Sequence, residues 1–182
     1  MRIISGQYKG RIIKPLKNLT ARPTTDIAKE SLFNIMNNYF DFTEVKVLDL
    51  FSGTGSISFE FASRGSMSIT SVELDFKLYA YIKKTIAEFK FFQINAFRAD
   101  AFKFIQMSNQ KYDIIFADPP YDSENIDTIP NLIFEKNMIK EDGWLVLEHS
   151  NRFNFAEHKN FRELRKYGKV HFSIFENKEI SI

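Results

Sequence analysis

Five short apolar runs recur along the middle of the chain, and between them lie stretches with helical rather than alternating patterning. The runs are VKVLDLF, MSITSVEL, a shorter one near Gln93 to Arg98, YDIIFAD and GWLVLEHS. The stretches between them are SISFEFASRG, DFKLYAYIKKTIAEF, Ala101 to Met107 and Ile129 to Phe134. Buried strands that alternate with helices predict a parallel sheet covered on both faces, because parallel neighbours require a crossover connection. The last part, RELRKYGKVHFSIFEN, reads as two strands joined at Tyr167-Gly168, an antiparallel hairpin at one sheet edge.

Upstream of this core, RIISGQYKGRIIKP suggests a small hairpin around Gly6 and Gly10. RPTTDIAKESLFNIMNN then predicts an amphipathic helix, capped by Thr24 or Thr25, with Ile27, Ser31, Phe33, Ile35 and Met36 on its apolar side. A chain of 182 residues carries one domain of this size plus a small extension. The division expected is a basic hairpin over residues 1–22 and a main domain over residues 23–182.

Composition removes several chemistries. There is no cysteine, which excludes disulfides, thiolate metal sites and thiol nucleophiles. His149, His158 and His171 have no metal-ligand spacing, so no metal is expected. No apolar run approaches the roughly 20 residues of a membrane span, and the N-terminus lacks an apolar leader core. A cytoplasmic protein without a membrane partner is the expectation. The formal net charge is only +2, yet Met1 to Arg22 holds Arg2, Lys9, Arg11, Lys14, Lys17 and Arg22 with no acid. Such a block suits a phosphate backbone, or is a solvated basic tail.

The first strand runs into Asp49-Leu50-Phe51-Ser52-Gly53-Thr54-Gly55-Ser56, a glycine-rich strand-to-helix turn of nucleotide-binding type. A dinucleotide loop wants a third glycine where this chain has Ser58. An acid four residues before Gly53 suits instead the ammonium of S-adenosylmethionine. The second strand ends on Glu73, placed to take ribose hydroxyls and followed by Leu74, and the third is followed by Asp100-Ala101, placed for an adenine amine. Helix capping is the plain structural alternative for Glu73 and Asp100.

The fourth strand ends in FADPPYD, where Asp118-Pro119-Pro120-Tyr121 lies at the carboxyl end of the sheet. The Asp118 carboxylate and the Pro119 carbonyl can accept both hydrogens of an exocyclic amine while Tyr121 stacks on the base. These contacts strengthen as the nitrogen becomes tetrahedral, which favours the transition state. A base inside a duplex cannot enter such a site, so an unpaired or extruded nucleotide is implied. Pyrimidine C5 methylation lacks its cysteine, and ribose methylation lacks a lysine at this turn. Adenine in DNA, a glutamine amide in protein, and a non-catalytic RNA-binding or assembly role stay open on these residues.

RIISGQYKGR, RPTTDIAKESLFNIM, VLDLFSGTGSISFEFASRG, SVELD and FADPPY, in that order and spacing, resemble the RsmD family, the bacterial 16S ribosomal RNA guanine-N2 methyltransferases. The resemblance runs from Met1 to about Glu148. It implies a Rossmann-like class I methyltransferase, with a mostly parallel seven-stranded sheet, an antiparallel C-terminal hairpin and a small N-terminal β-hairpin that engages RNA. Its cofactor loop falls on Asp49, Phe51, Ser52, Gly53, Thr54 and Gly55, and its catalytic tetrapeptide on Asp118 to Tyr121. By the same resemblance Arg22 and Thr24 lie beside the cofactor or substrate, and Arg2, Lys9, Arg11, Lys14 and Arg22 face RNA. The implied partner is 16S rRNA or a small-subunit particle, met by a monomer. Ser56 and Ser58 depart from the family's frequent Ala and Gly.

Overall fold

The computed structural model describes residues 1–14, 16, 26–121 and 123–178. In chain order the elements are α1 (Asp26–Met36), β1 (Lys46–Leu50), α2 (Ser56–Ser63), β2 (Ser68–Glu73), α3 (Phe76–Phe89), β3 (Ile94–Arg98) and α4 (Ala101–Met107). There follow β4 (Tyr112–Ala117), α5 (Ile129–Glu135), β5 (Ile139–His149), β6 (Phe161–Tyr167) and β7 (Val170–Glu176). Among the described residues seven strands form one sheet, ordered β3-β2-β1-β4-β5-β7-β6. The five strands from β3 to β5 are parallel, and β7 runs antiparallel to both β5 and β6. This is the expected architecture, including the hairpin at the edge.

Period-two alternation along the strands builds a core on each face of the sheet. Val47, Ile69, Ile114, Phe116 and Val146 pack with Leu32, Phe33, Ile57, Phe59 and Ile82, so α1, α2 and α3 cover one face. Leu48, Leu50, Val72, Ile115, Ala117 and Leu147 pack with Ala101, Ile105, Ile129 and Ile133, so α4 and α5 cover the other. The order reverses at β1, whose neighbours β2 and β4 lie on opposite sides. At such a switch point the loops leaving the strands diverge and open a crevice beyond their carboxyl ends.

One expectation needs correction. The buried side of α1 is Ala28, Lys29, Leu32, Phe33 and Met36, while Ile27 is 74% exposed. The helix is turned toward Lys29 because that ammonium finds partners inside: Nζ donates to the Arg2 carbonyl at 2.9 Å and to Ser56 Oγ at 3.1 Å. The N-terminal hairpin is present in short form: Arg2 and Ile12 bridge antiparallel, the Ile3 amide donates to the Arg11 carbonyl at 3.0 Å, and the Ile13 amide to the Met1 carbonyl at 2.9 Å. Its side chains Ile3 and Ile13 are buried in the core shared with α1 to α3. The proposed caps Thr24 and Thr25 lie outside the described residues.

One buried acid ties these pieces together. Glu60 on α2 accepts from the Ile4 amide at 2.8 Å, the Ser5 amide at 3.0 Å and Arg64 Nε at 2.9 Å. Lys29 Nζ lies 3.9 Å from it. Removing Glu60 strands Lys29, Arg64 and two amides at once, whereas removing Lys29 leaves Glu60 with Arg64 and both amides. Glu60→Ala is expected to cost about 3 to 5 kcal/mol of unfolding free energy. Lys29→Met should cost clearly less, and urea denaturation of both variants checks the order.

Candidate active site

The crevice is built from the ends of β1, β2, β4 and β5. The chain leaves β1 through Phe51, whose φ of 57° puts a bulky residue in the left-handed region. Strain of this sort, on the order of 1–2 kcal/mol, persists where surrounding structure enforces it and collects at functional sites. Gly55 then caps α2 with φ 77°. A Cβ there would meet the Phe59 ring at 2.8 Å, so only glycine fits.

Asp49 points into this turn and is 1% exposed. Its Oδ2 accepts from the Ser58 amide at 3.1 Å and from the Ser58 hydroxyl. Burial pushes the Asp49 carboxyl up to about 7, against the pull of those hydrogen bonds. Ser58, a departure from the family pattern, is thus the residue that holds Asp49 in place. The Asp49 carbonyl in turn accepts from Ser52 Oγ at 2.7 Å, and Ser52 Oγ from Ser71 Oγ at 2.8 Å.

Glu73, at the end of β2, reaches across to the turn: Oε2 accepts from the Gly53 amide at 2.7 Å and Oε1 from the Asp75 amide at 2.8 Å. Its carboxyl is raised by burial. Asp100 caps α4 by accepting from the Lys103 amide at 2.9 Å, and it also faces the crevice. The capping and the binding readings of Asp100 therefore describe two atoms of one side chain, since a carboxylate has acceptor capacity beyond one cap.

On the other side, Asp118 follows β4 directly. Burial holds its carboxyl well above the usual range, and the nearby Glu148 and Asp49 add to the rise. Pro119 is buried, whereas Tyr121 is 46% exposed and its hydroxyl donates to Glu148 Oε1 at 3.3 Å.

One cavity of about 940 Å³ gathers these groups. Asp49, Phe51, Ser52, Gly53, Thr54, Glu73, Leu74, Asp100, Ala101 and Asp118 to Tyr121 all line it. Gly55 does not; its part is the cap and the packing on Phe59. The sequence reading missed Asp75, the apolar walls Ile57, Leu78 and Phe102, and above all Glu148, which is 3% exposed at the end of β5. The signal was present: Glu148 is the one acid inside the apolar end of GWLVLEHS, beside the strand that carries the DPPY turn. Arg22 and Thr24 lie outside the described residues.

The charge of the cavity is one-sided. Its described lining holds Asp49, Glu73, Asp75, Asp100, Asp118 and Glu148 and no Lys, Arg or His. A pyrophosphate would be repelled here, whereas a ligand carrying ammonium and sulfonium charge fits. The space above Gly53 fits too, since a Cβ there would meet nothing closer than the Phe51 carbonyl at 3.9 Å.

Of the basic residues, Arg2, Lys9, Arg11 and Lys14 are exposed. Arg2 lies 3.6 Å from Asp26, and Arg11 sits over the Tyr8 ring at 5.8 Å. Met1 Sδ is 3.9 Å from Thr54 Oγ1, so the basic segment abuts the glycine turn. Among the described residues no helix is long and apolar enough to cross a membrane, and no group of acids and histidines is arranged to hold a metal ion.

The Ser58 contacts stabilise the charged form of Asp49, so their loss must raise its pKa. Carboxyl-carbon NMR is expected to follow Asp49 titrating near pH 7 in the native chain and higher in Ser58→Ala.

Comparison with known proteins gives a consistent result. Residues 1–176 match the family described as Conserved hypothetical protein 95. The YlbH protein of Bacillus subtilis is 37% identical over 163 residues, 86% of each chain. The Ribosomal RNA small subunit methyltransferase D of Haemophilus influenzae is 31% identical over 185 residues, 97% of this chain and 94% of the relative. Among solved structures, the Escherichia coli protein yhhF superposes with a TM-score of 0.85 at 25% identity over 98% of each chain.

Proposed function

Because the chain belongs to the Conserved hypothetical protein 95 family, the RsmD family that its motifs resemble, we propose that it methylates the exocyclic N2 amine of a guanine in small-subunit (16S) ribosomal RNA, with S-adenosylmethionine as methyl donor. The observation that carries this reading is the cavity at the β1–β4 switch point, whose charged residues among the described lining are all acids, with Asp118 and Pro119 on one wall. Residues 1–22 form the RNA-facing extension, with Arg2, Lys9, Arg11, Lys14 and Arg22 on the phosphate backbone, and residues 23–182 the catalytic domain. The enzyme works as a monomer in the cytoplasm, on the rRNA or the small-subunit particle.

When bound, the cofactor supplies an electrophilic methyl group on a sulfonium. Asp49 takes its ammonium, Glu73 its ribose hydroxyls and Asp100 its adenine amine, while Ile57, Leu78 and Phe102 enclose the apolar surface. The family resemblance also implies a role beside the cofactor or substrate for Arg22 and Thr24, which lie outside the described residues. Tyr121, half-exposed at the rim, offers its ring to the flipped base. Asp118 and the Pro119 carbonyl accept from the two hydrogens of N2, pulling the nitrogen lone pair out of the ring. Asp118 would take the proton that the amine sheds as the methyl group passes from sulfur to nitrogen, the S–C bond breaking as the N–C bond forms. Pro120 shapes this turn, its carbonyl accepting from the Ser123 amide at 2.9 Å.

The chemistry needs an ionised Asp118, and burial favours the neutral form. The rate is therefore expected to climb as pH rises beyond the ordinary carboxylate range, and Asp118→Asn should flatten that rise. With methyl-labelled S-adenosylmethionine, the native chain should label guanine N2 in small-subunit RNA or particles, and Asp118→Ala should lower the rate by about 10² to 10³. Label found in DNA adenine or protein glutamine instead would sink the guanine reading.

A cation at Asp49 favours its charged form, so binding must release a proton near neutrality. Calorimetry is expected to show S-adenosylhomocysteine, which keeps the ammonium, binding more tightly at pH 8 than at pH 6. An affinity that is flat across this range would count against Asp49 as the ammonium's partner.

A further inference from the structure

Five of the acids that line the cavity already have work. Asp49, Glu73 and Asp100 face the cofactor, Asp75 caps α3 by accepting from the Leu78 amide at 2.9 Å, and Asp118 faces the amine. Glu148 has no part in that account, yet it is 3% exposed and lines the same cavity as Asp118. β4 and β5 are parallel with Ala117 opposite Leu147, so the next residues along the two strands are Asp118 and Glu148, side by side at the cavity wall. The Tyr121 hydroxyl donates to Glu148 Oε1 at 3.3 Å and ties the stacking ring to the same carboxyl.

The two acids present adjacent acceptors, and the purines differ in what they offer such a pair. Guanine carries N1–H and the N2 amine next to one another, two donors on one edge. Adenine sets its amine beside N1, a bare acceptor, and an ionised carboxylate facing that lone pair is repelled. Resting on the amine-methylation reading above, we propose that Glu148 is the specificity residue of this site: it accepts N1–H of the target guanine while Asp118 and Pro119 hold the N2 amine. A carboxylate has two oxygens and roughly four acceptor sites, so the Tyr121 contact and the N1–H contact are compatible.

The plain alternative is that Glu148 only anchors Tyr121. The two roles separate with 2-aminopurine, which keeps the N2 amine but has a bare N1. Small-subunit RNA is prepared with guanine or 2-aminopurine at the position that mass mapping shows to be methylated, and kcat/KM is compared within one enzyme preparation. The native chain is expected to favour guanine by about a hundredfold, because a buried acceptor left facing a lone pair is penalised. Glu148→Gln should bring that ratio toward unity, since an amide can turn its N–H₂ toward the bare N1. The ratio does not depend on how much of a variant is folded. Tyr121→Phe supplies a second case, with the ratio expected to fall partway. Fluorescence of the 2-aminopurine RNA gives a readout apart from turnover: Glu148→Gln should flip and bind it more tightly than the native chain does. Equal use of the two RNAs by the native chain, or a ratio unmoved by Glu148→Gln, overturns the assignment and leaves amine methylation standing. No labelling of the guanine RNA at all overturns the methylation reading itself and this assignment with it.

Discussion

The pairing of β1 with β4 is the contact on which the rest depends. Val47 to Leu50 lie beside Ile114 to Ala117, two segments joined only through α2, β2, α3, β3 and α4. Closing so long a connection is entropically costly, and the return comes from burying both strands on both faces. Once they pair in this register, the residues that follow have little choice of place. Asp49 and its glycine turn emerge next to Asp118, and the Asp118 amide donates to the Leu50 carbonyl at 3.5 Å across the gap. A glycine turn and a DPPY turn 67 positions apart in the chain, Phe51 and Asp118, thereby become two walls of one cavity.

That cavity is electrostatically unfavourable when empty. Carboxyl groups taken out of water and set near one another favour neutral forms, which is why Asp49, Glu73 and Asp118 all shift upward. For Asp49, whose ordinary value is 3.8 and whose folded value is about 7, the contribution to stability is full below about pH 4 and is lost by about pH 7. The site is thus least comfortable at the pH where it works, and a positively charged ligand relieves it. After the methyl group has left, the cofactor no longer has its sulfonium charge and fits this acid wall less well, so the same field that attracts the donor eases the release of the spent form. Stability spent on the cavity is regained in the network around Glu60, which fastens the N-terminal segment, α1 and α2 behind the glycine turn.

The strands and most helices were legible because buried parallel strands leave unbroken apolar runs, and those runs set the sheet almost by themselves. Asp49, Glu73 and the DPPY turn were legible as lining of the crevice for a related reason: a polar group at the carboxyl end of an apolar strand breaks the pattern that burial alone would set. Gly55 was read as lining the ligand when its constraint is the Phe59 ring behind it, which no local pattern reveals. The buried side of α1 was misread because Lys29 counts as polar in any pattern, yet its ammonium is satisfied by a carbonyl and a hydroxyl from other parts of the chain. The N-terminal hairpin was legible from its glycines and apolar pairs, whereas the burial of Ile3 and Ile13 beside α1 to α3 depends on contacts that no local pattern reveals.

Glu148 belongs to this last class, and it bears on how a shared motif acquires a particular substrate. On the proposed reading the DPPY turn meets only what planar amines have in common, two hydrogens on one nitrogen. Anything that tells one base from another must touch the neighbouring ring atom, and the neighbour of that turn in space is fixed by which strand lies next to β4. Here it is β5, whose final apolar run places an acid level with Asp118. A donor at that position would suit a ring nitrogen with a lone pair, and an apolar residue would distinguish little. Sheet order, set by hydrophobic pairing far from the chemistry, thus decides which side chain reads the base, and the division between a general amine-holding turn and a specific neighbouring strand follows from the topology.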